Sequence, residues 1–234
     1  VTTPAIEIDN ITIDEKVYPE IDVIDLMKRW NTSSRKMILV GMHHPNTQSN
    51  EYLKQLAQDE SVVVLHEVTS NIHDERFFNK IDQVIFPYSE DELEALKPDI
   101  LLTIGQNIVS KKIKKFLREH QPTQHWHLDE YWQPDTFQAL TDKIQTKPEL
   151  FLEQFVPFVN SKEADYYTKW NTIRKANEIK HKKYVNMMPF CDLKVVDSIV
   201  KNYPENWQVQ YGNSTVIRYG LLFDHQPNNP IFCN

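Results

Sequence analysis

At 234 residues, with 40% hydrophobic and 25% charged side chains, the chain has a globular protein's composition and can bury a sizeable core. A formal net charge of −7 argues against a general nucleic-acid binder, which needs a basic face to release phosphate counterions. No run approaches the roughly 18 apolar residues of a membrane-spanning helix, and the four glycines, none clustered, exclude a dinucleotide fingerprint or P-loop.

Residues 1–22 are acidic and unpatterned, hold Pro4 and Pro19, and read as an entry segment or linker. Residues 24–30 predict a short amphipathic helix with Leu26, Met27 and Trp30 inward, stopped by the polar run NTSSRK. Residues 37–40 are a continuous apolar run closed by Gly41, the pattern of a parallel strand covered on both faces. Residues 49–57 then show helical spacing, and residues 62–65 repeat the strand pattern. Residues 81–85 read as a short strand or turn. Ser89 caps the next helix, with Glu92 three positions on. Residues 100–104 are a third strand, 109–118 a basic amphipathic helix and 124–128 a fourth strand. Residues 137–144 and 149–158 read as helical pieces.

Strand–helix alternation with short loops implies an α/β fold, a Rossmann-like parallel sheet flanked by helices over residues 23–160. A long charged helix at 164–184 forms the body of a helical linker, 161–189. An amphipathic helix at 193–203 leads to an alternating run at 207–211, read as a buried strand. The Gly212-Asn213-Ser214 turn, a helical segment with Arg218 and a strand at 230–233 follow. Residues 190–234 thus read as the incomplete start of a second α/β domain, a strand opening at the terminus with no partner after it. Cys191 and Cys233 read as free thiols in a reducing cytoplasm.

Three strand-end turns carry possible chemistry. At Gly212-Asn213-Ser214 a strand feeds a helix, where exposed amides favour anions; Ser214 offers a hydroxyl and Arg218 a fork suited to carboxylate. A capped helix with a solvated arginine accounts for the same letters. After Gly105, Lys111, Lys115 and Arg118 share one helical face and Lys112 lies on another, either an anion site or a solvated surface. His43-His44 and the alternating His125 and His127 lack the carboxylate or cysteine spacing of a metal centre. His66-Glu67 is acid/base material with nothing nearby in sequence to orient it.

The runs RKMILVG (35–41), SVVVLHEVTSNIHD (61–74) and DILLTIGQNIVSKKIKKFLREHQPTQHWHLDE (99–130) resemble the middle domain of a thiamine-diphosphate enzyme family, the 2-succinyl-5-enolpyruvyl-6-hydroxy-3-cyclohexene-1-carboxylate synthases of menaquinone biosynthesis. GNSTVIRY followed by PIFCN resembles the opening of that family's pyrophosphate-binding domain. The resemblance implies a decarboxylating transferase that joins isochorismate to 2-oxoglutarate, using thiamine diphosphate and Mg2+, in a cytoplasmic homodimer or homotetramer. It implies that Ser214 and Arg218 hold substrate carboxylate, that Asn213 supports their turn, and that Lys111 and Lys112 face the active site. The family's amino-terminal glutamate-bearing domain and its Gly-Asp-Gly motif are not in this sequence. The expectation is therefore a fragment with no catalytic residue of its own, inactive alone and binding neither cofactor nor metal. The alternative is a stand-alone Rossmann-like module that binds a small anion or serves structure and dimerisation.

Overall fold

The structure, a computed structural model, describes residues 17–86 and 88–234. Residues 1–16 of the expected entry segment lie outside the described residues, and 17–22 form no helix or strand. In chain order the elements begin with α1 (Val23–Thr32), β1 (Lys36–Val40), α2 (Thr47–Leu56), β2 (Val62–His66), α3 (Ile81–Ile85) and α4 (Glu90–Glu94). They continue with β3 (Ile100–Ile104), α5 (Lys111–Glu119), β4 (Gln124–Leu128), β5 (Leu140–Ile144), α6 (Pro148–Phe155) and α7 (Tyr166–Met187). The last are α8 (Asp192–Asn202), β6 (Val209–Tyr211), α9 (Thr215–Gly220) and β7 (Ile231–Cys233).

Five strands form one parallel sheet in the order β2-β1-β3-β4-β5. Every residue of β1, β2 and β3 is buried, which is why these strands read as unbroken apolar runs. Alternate residues face opposite cores. Ile38, Val40, Val64 and Leu102 pack with Leu26, Trp30, Leu53 and Phe155 of α1, α2 and α6. Met37, Leu39, Val63 and Leu101 pack with Ile81, Phe116, Tyr166 and Trp170 of α3, α5 and α7. Trp30 anchors the first layer, its ring 5.9 Å from Trp126 and 5.4 Å from Phe155. Truncating such a side chain costs about 3–5 kcal/mol.

Two local readings are corrected. Residues 81–85 form a helix, because Ile81, Val84 and Ile85 sit at helical spacing and bury together against α5 and α7. Residues 137–144 hold strand β5: Gln138 has φ 58, which a helix does not admit, and the free edge of β4 needs a hydrogen-bonding partner. Arg29 of α1 pins β5 through a bidentate pair with Asp142 at 2.7 and 2.9 Å. The capped helix behaves as expected, with Glu92 accepting from both the Ser89 amide and its hydroxyl.

The chain's last part packs beside this sheet. β6 and β7 form a separate two-stranded parallel sheet, so the strand expected to lack a partner pairs backward with β6. Trp207, read as part of a buried strand, precedes β6 and is 59% exposed. Tyr211, Ile217, Leu221 and Ile231 close a small core on Val68. Phe223 joins Val185, Val196 and Val200 of α7 and α8. The side chain of Asn71 docks β7: its Oδ1 accepts the Ile231 N–H at 2.7 Å and its Nδ2 donates to the Ile231 carbonyl at 3.0 Å. Lys80 adds an ion pair to Asp224 at 2.7 Å. Both cysteines are free.

Candidate functional site

The connection between β3 and α5, residues 105–110, is held on every side. Gly105 takes φ 77 to turn out of β3. Met42 then brackets the loop, donating to the Asn107 carbonyl at 3.0 Å and accepting from the Gln106 N–H at 2.9 Å. Gly41 lets this approach happen, since a Cβ there would collide with the Gln106 carbonyl. Lys114 reaches back to donate to the Ile108 carbonyl at 2.9 Å. Ser110 is the N-cap of α5, accepting from the Ile113 N–H at 3.1 Å and donating its hydroxyl to Asp82.

Glu67, at the end of β2, is the centre of this arrangement. It is 1% exposed, and its two carboxylate oxygens accept the Val109 N–H at 2.7 Å and the Ser110 N–H at 2.6 Å. Burial dominates its electrostatics and pushes the carboxyl up to about 7, although the two backbone bonds pull the other way. Asp82 alongside is also raised by burial, with Lys112 and Arg218 opposing the rise. Lys114 is lowered by burial, against the opposing charge of Glu67, with Arg118, Arg218 and Lys111 adding to the fall. A deep pair of carboxyls thus sits beneath a set of cations.

Of the expected site residues, Arg218 meets this loop directly, its Nη1 donating to the Val109 carbonyl at 3.2 Å. Lys111 and Lys112 are the first two residues of α5, one turn from that carbonyl. Helix α5 starts two residues later than expected, which leaves Val109 and Ser110 free to bond outside the helix. Lys111 is exposed and has no hydrogen-bond or ion-pair partner among the described residues. Lys112 turns toward Phe86, its Nζ 3.3 Å from the ring centroid. Lys115 and Arg118 are used locally, by Glu119 and the Thr136 carbonyl.

Ser214 and Asn213 are exposed at the opposite end of the short helix α9, and among the described residues neither hydrogen-bonds to the loop. Ser214 makes no capping bond, so the plain helix-cap reading does not account for it. Its backbone lies at φ 149, ψ −139, a region nearly reserved for glycine that stores of order 1–3 kcal/mol. Such strain is a mark of functional turns. The Asn213 N–H donates to Asn234 Oδ1 at 3.0 Å, tying the turn to the end of β7.

Two larger cavities lie on this side of the sheet, one of them against the loop at Gln106. One, of about 270 Å3, opens at the carboxyl ends of β1, β3 and β4 between His43, Gln106, Asp129, Tyr131, Glu149 and Phe232. The other, of about 700 Å3, lies between β2 and the tail, and its main cations are spoken for: Lys80 by Asp224 and Glu178, Arg174 by the carbonyls of Glu75 and Phe77. His125 and His127 do share one face of β4, but they close on Thr103 at 2.9 and 2.7 Å and on the Trp132 carbonyl at 3.0 Å.

The sequence shows the cations as charges and Glu67 as a strand-end acid with no partner nearby, because the amides that orient it come 42 and 43 residues later. The available signal was its place at a parallel strand's carboxyl end, where α/β sheets gather ligands.

Comparison with known proteins bears on the chain as a whole. Residues 10–209 match the family described as the middle domain of thiamine pyrophosphate. The chain is 39% identical over 234 residues to a Flavobacterium psychrophilum protein named 2-succinyl-5-enolpyruvyl-6-hydroxy-3-cyclohexene-1-carboxylate synthase, covering all of this chain and 42% of that one. Proteins of the same name from Christiangramia forsetii and Flavobacterium johnsoniae are 40% and 37% identical, over 95% and 90% of this chain and 39% and 38% of theirs. The chain therefore spans about two-fifths of the length of these relatives. A solved structure from Mycobacterium smegmatis, described as a thiamin diphosphate-dependent enzyme, superposes with a TM-score of 0.51 at 11% identity. That superposition covers 90% of this chain and 40% of the other, and it shows the fold alone.

Proposed function

The chain belongs to the family of thiamine pyrophosphate middle domains, and from that premise we propose that it serves a synthase joining isochorismate to 2-oxoglutarate with loss of carbon dioxide. The shared name of the relatives supports the reaction class. The proposal also takes the whole enzyme to be cytoplasmic, homo-oligomeric and part of menaquinone biosynthesis. In this reading residues 23–160 are the middle domain, 161–189 a helical linker, and 190–234 belong with the pyrophosphate-binding domain.

The observation that carries the reading is the meeting of Arg218 with the loop that launches Lys111 and Lys112. Those three cations come from two segments about a hundred residues apart: Arg218 rests on the loop, Lys111 is exposed at the helix start and Lys112 turns toward Phe86. Both substrates are carboxylates, and a guanidinium fork beside an unpaired lysine binds a carboxylate in a fixed orientation. Ser214 would add a hydroxyl from the strained turn, with Asn213 holding that turn to β7.

Thiamine diphosphate would supply the carbanion chemistry in the whole enzyme. The described residues include no group of three or more His, Cys, Asp or Glu placed to hold a metal ion such as Mg2+, so neither group is assigned ligands in this chain. What the chain's own residues do is bind and orient the carboxylate. The test is a graft: this chain replaces the matching segment of the Flavobacterium psychrophilum relative, and product formation from both substrates is assayed. A chimera folded by circular dichroism but silent with both substrates sinks the proposal.

A further inference from the structure

Glu67 makes no hydrogen bond to Arg218 or Lys111 among the described residues, yet it is joined to both through the Val109–Ser110 peptide. Its carboxylate takes the N–H groups of Val109 and Ser110, and the Val109 carbonyl in turn takes Arg218. The Ser110 N–H and the Val109 C=O belong to one peptide unit, so a carboxylate and a guanidinium polarise the same bond from its two ends. Such chains of hydrogen bonds strengthen one another. Ser110 is also the N-cap from which Lys111 and Lys112 follow.

Resting on the carboxylate-binding reading above, we propose that Glu67 is the positioning residue of that site, its ionised carboxylate setting the Val109–Ser110 peptide on which Arg218 rests and from which the two lysines start. The geometry favours the ionised form. Both oxygens face N–H donors, and a proton on either oxygen makes that oxygen a weaker acceptor and so loosens one of the two bonds. The groups facing Glu67 come from four elements: Asp82 of α3, Lys114 of α5, Arg218 through the Val109 carbonyl from α9, and Cys233 of β7. The preceding His66 meets the Glu67 backbone carbonyl through Nδ1, and its ring packs on His73 and Phe77. Because the carboxyl titrates near 7, the site is set or released across the neutral range.

A direct electrostatic role predicts the opposite sign from a positioning role. If the charge merely repelled an incoming carboxylate, ligand would raise the carboxyl's pKa. If the ionised form builds the site, ligand lowers it.

The experiment uses the 234-residue chain and 2-oxoglutarate as the probe, with affinity read by NMR between pH 6 and 8. The wild type is expected to bind about tenfold more tightly at pH 8 than at pH 6. Glu67→Gln, which puts an amide N–H against a backbone N–H, is expected to bind about tenfold more weakly at pH 8 and without pH dependence. Glu67→Asp should restore part of the pH dependence. Should Glu67→Gln not fold, the carbon-13 titration of the wild-type Glu67 carboxyl decides alone: saturating 2-oxoglutarate lowers its midpoint. A Glu67→Gln chain that follows the wild type in affinity and pH profile, or a midpoint unmoved or raised by the probe, overturns the role. An Arg218→Ala chain that binds like the wild type overturns the carboxylate site itself and Glu67's part in it.

Discussion

Glu67 and Arg218 grip one peptide bond from opposite ends: the carboxylate accepts the Ser110 N–H at 2.6 Å, and the guanidinium donates to the Val109 carbonyl at 3.2 Å. A buried acid just after β2 and a half-exposed base on α9, 151 positions apart in the chain, thereby meet on one peptide.

Arg218→Ala should raise the Michaelis constant for a carboxylate substrate in the grafted enzyme. A hydrogen bond to a charged group of this kind contributes about 1.5–3 kcal/mol, or roughly 10- to 150-fold. Folding should change little, since Arg218 makes a single bond to the loop. Arg118→Ala, which removes an exposed bond to the Thr136 carbonyl, serves as the control with unchanged kinetics. A constant unaltered for both substrates would remove Arg218 from the site.

Stability should fall on acidification below about pH 6.5. His66 and His125 are held neutral by burial, each lowered from 6.5 to about 4. Between those values the unfolded chain binds more protons than the native one, so stability present at neutral pH is lost as pH drops toward 4, by about 3 kcal/mol for each ring. His43 and His127 are lowered in the same direction by burial. Glu67 acts with the opposite sign, since its raised carboxyl makes the native state bind the extra proton between about 4.5 and 7. The histidines outnumber it. Urea unfolding at pH 7 and pH 4.5 checks this, and equal or greater stability at pH 4.5 refutes it.

Lys36 and Asp59 form an ion pair at 2.9 Å with both side chains essentially out of solvent. Asp59 also accepts from the Ser61 amide and hydroxyl and from the Lys162 amide, so its oxygens are satisfied. Removing either partner strands a buried charge, at a cost of about 3–5 kcal/mol. Lys36→Met combined with Asp59→Leu should recover much of the loss. A double-mutant cycle in chemical denaturation with no coupling energy would show the pair to be independent.

Gly41→Ala should destabilise the protein by about 1–3 kcal/mol and displace the site loop, because the new methyl meets the Gln106 carbonyl and the Ile108 side chain. Gly212→Ala meets nothing within 4 Å and should be near neutral in stability. Thermal unfolding of the two variants side by side tests the contrast.

What was readable in the sequence follows from where each signal is stored. β1, β2 and β3 are wrapped on both faces, so burial wrote itself into consecutive letters, and their bounds came out almost unchanged. β5 is a strand because β4 offers an edge and Arg29 holds Asp142, and neither fact is present in residues 137–144 themselves. The five letters of α3 fit a strand or a helix until α7 covers them on one side. The site divides the same way. Arg218 and the lysines announce themselves as charges, but which charge is set by which partner is a long-range matter, and Glu67 is its clearest case.

Asn71 extends that point to the folding reaction. Its side-chain amide stands in for a strand's backbone, offering Ile231 one acceptor and one donor across 160 positions of chain. Asn71 itself sits at φ 53, also bonded to the His43 carbonyl, and so exists in this pose only once β1 and β2 have come together. Closing a loop of that length before its docking point exists gains nothing to offset the lost entropy. The tail is therefore a late arrival in folding and the first part to leave, opening locally while the five-stranded sheet stays intact. Amide hydrogen exchange at Ile231 should run faster than at Ile38 in the same molecule.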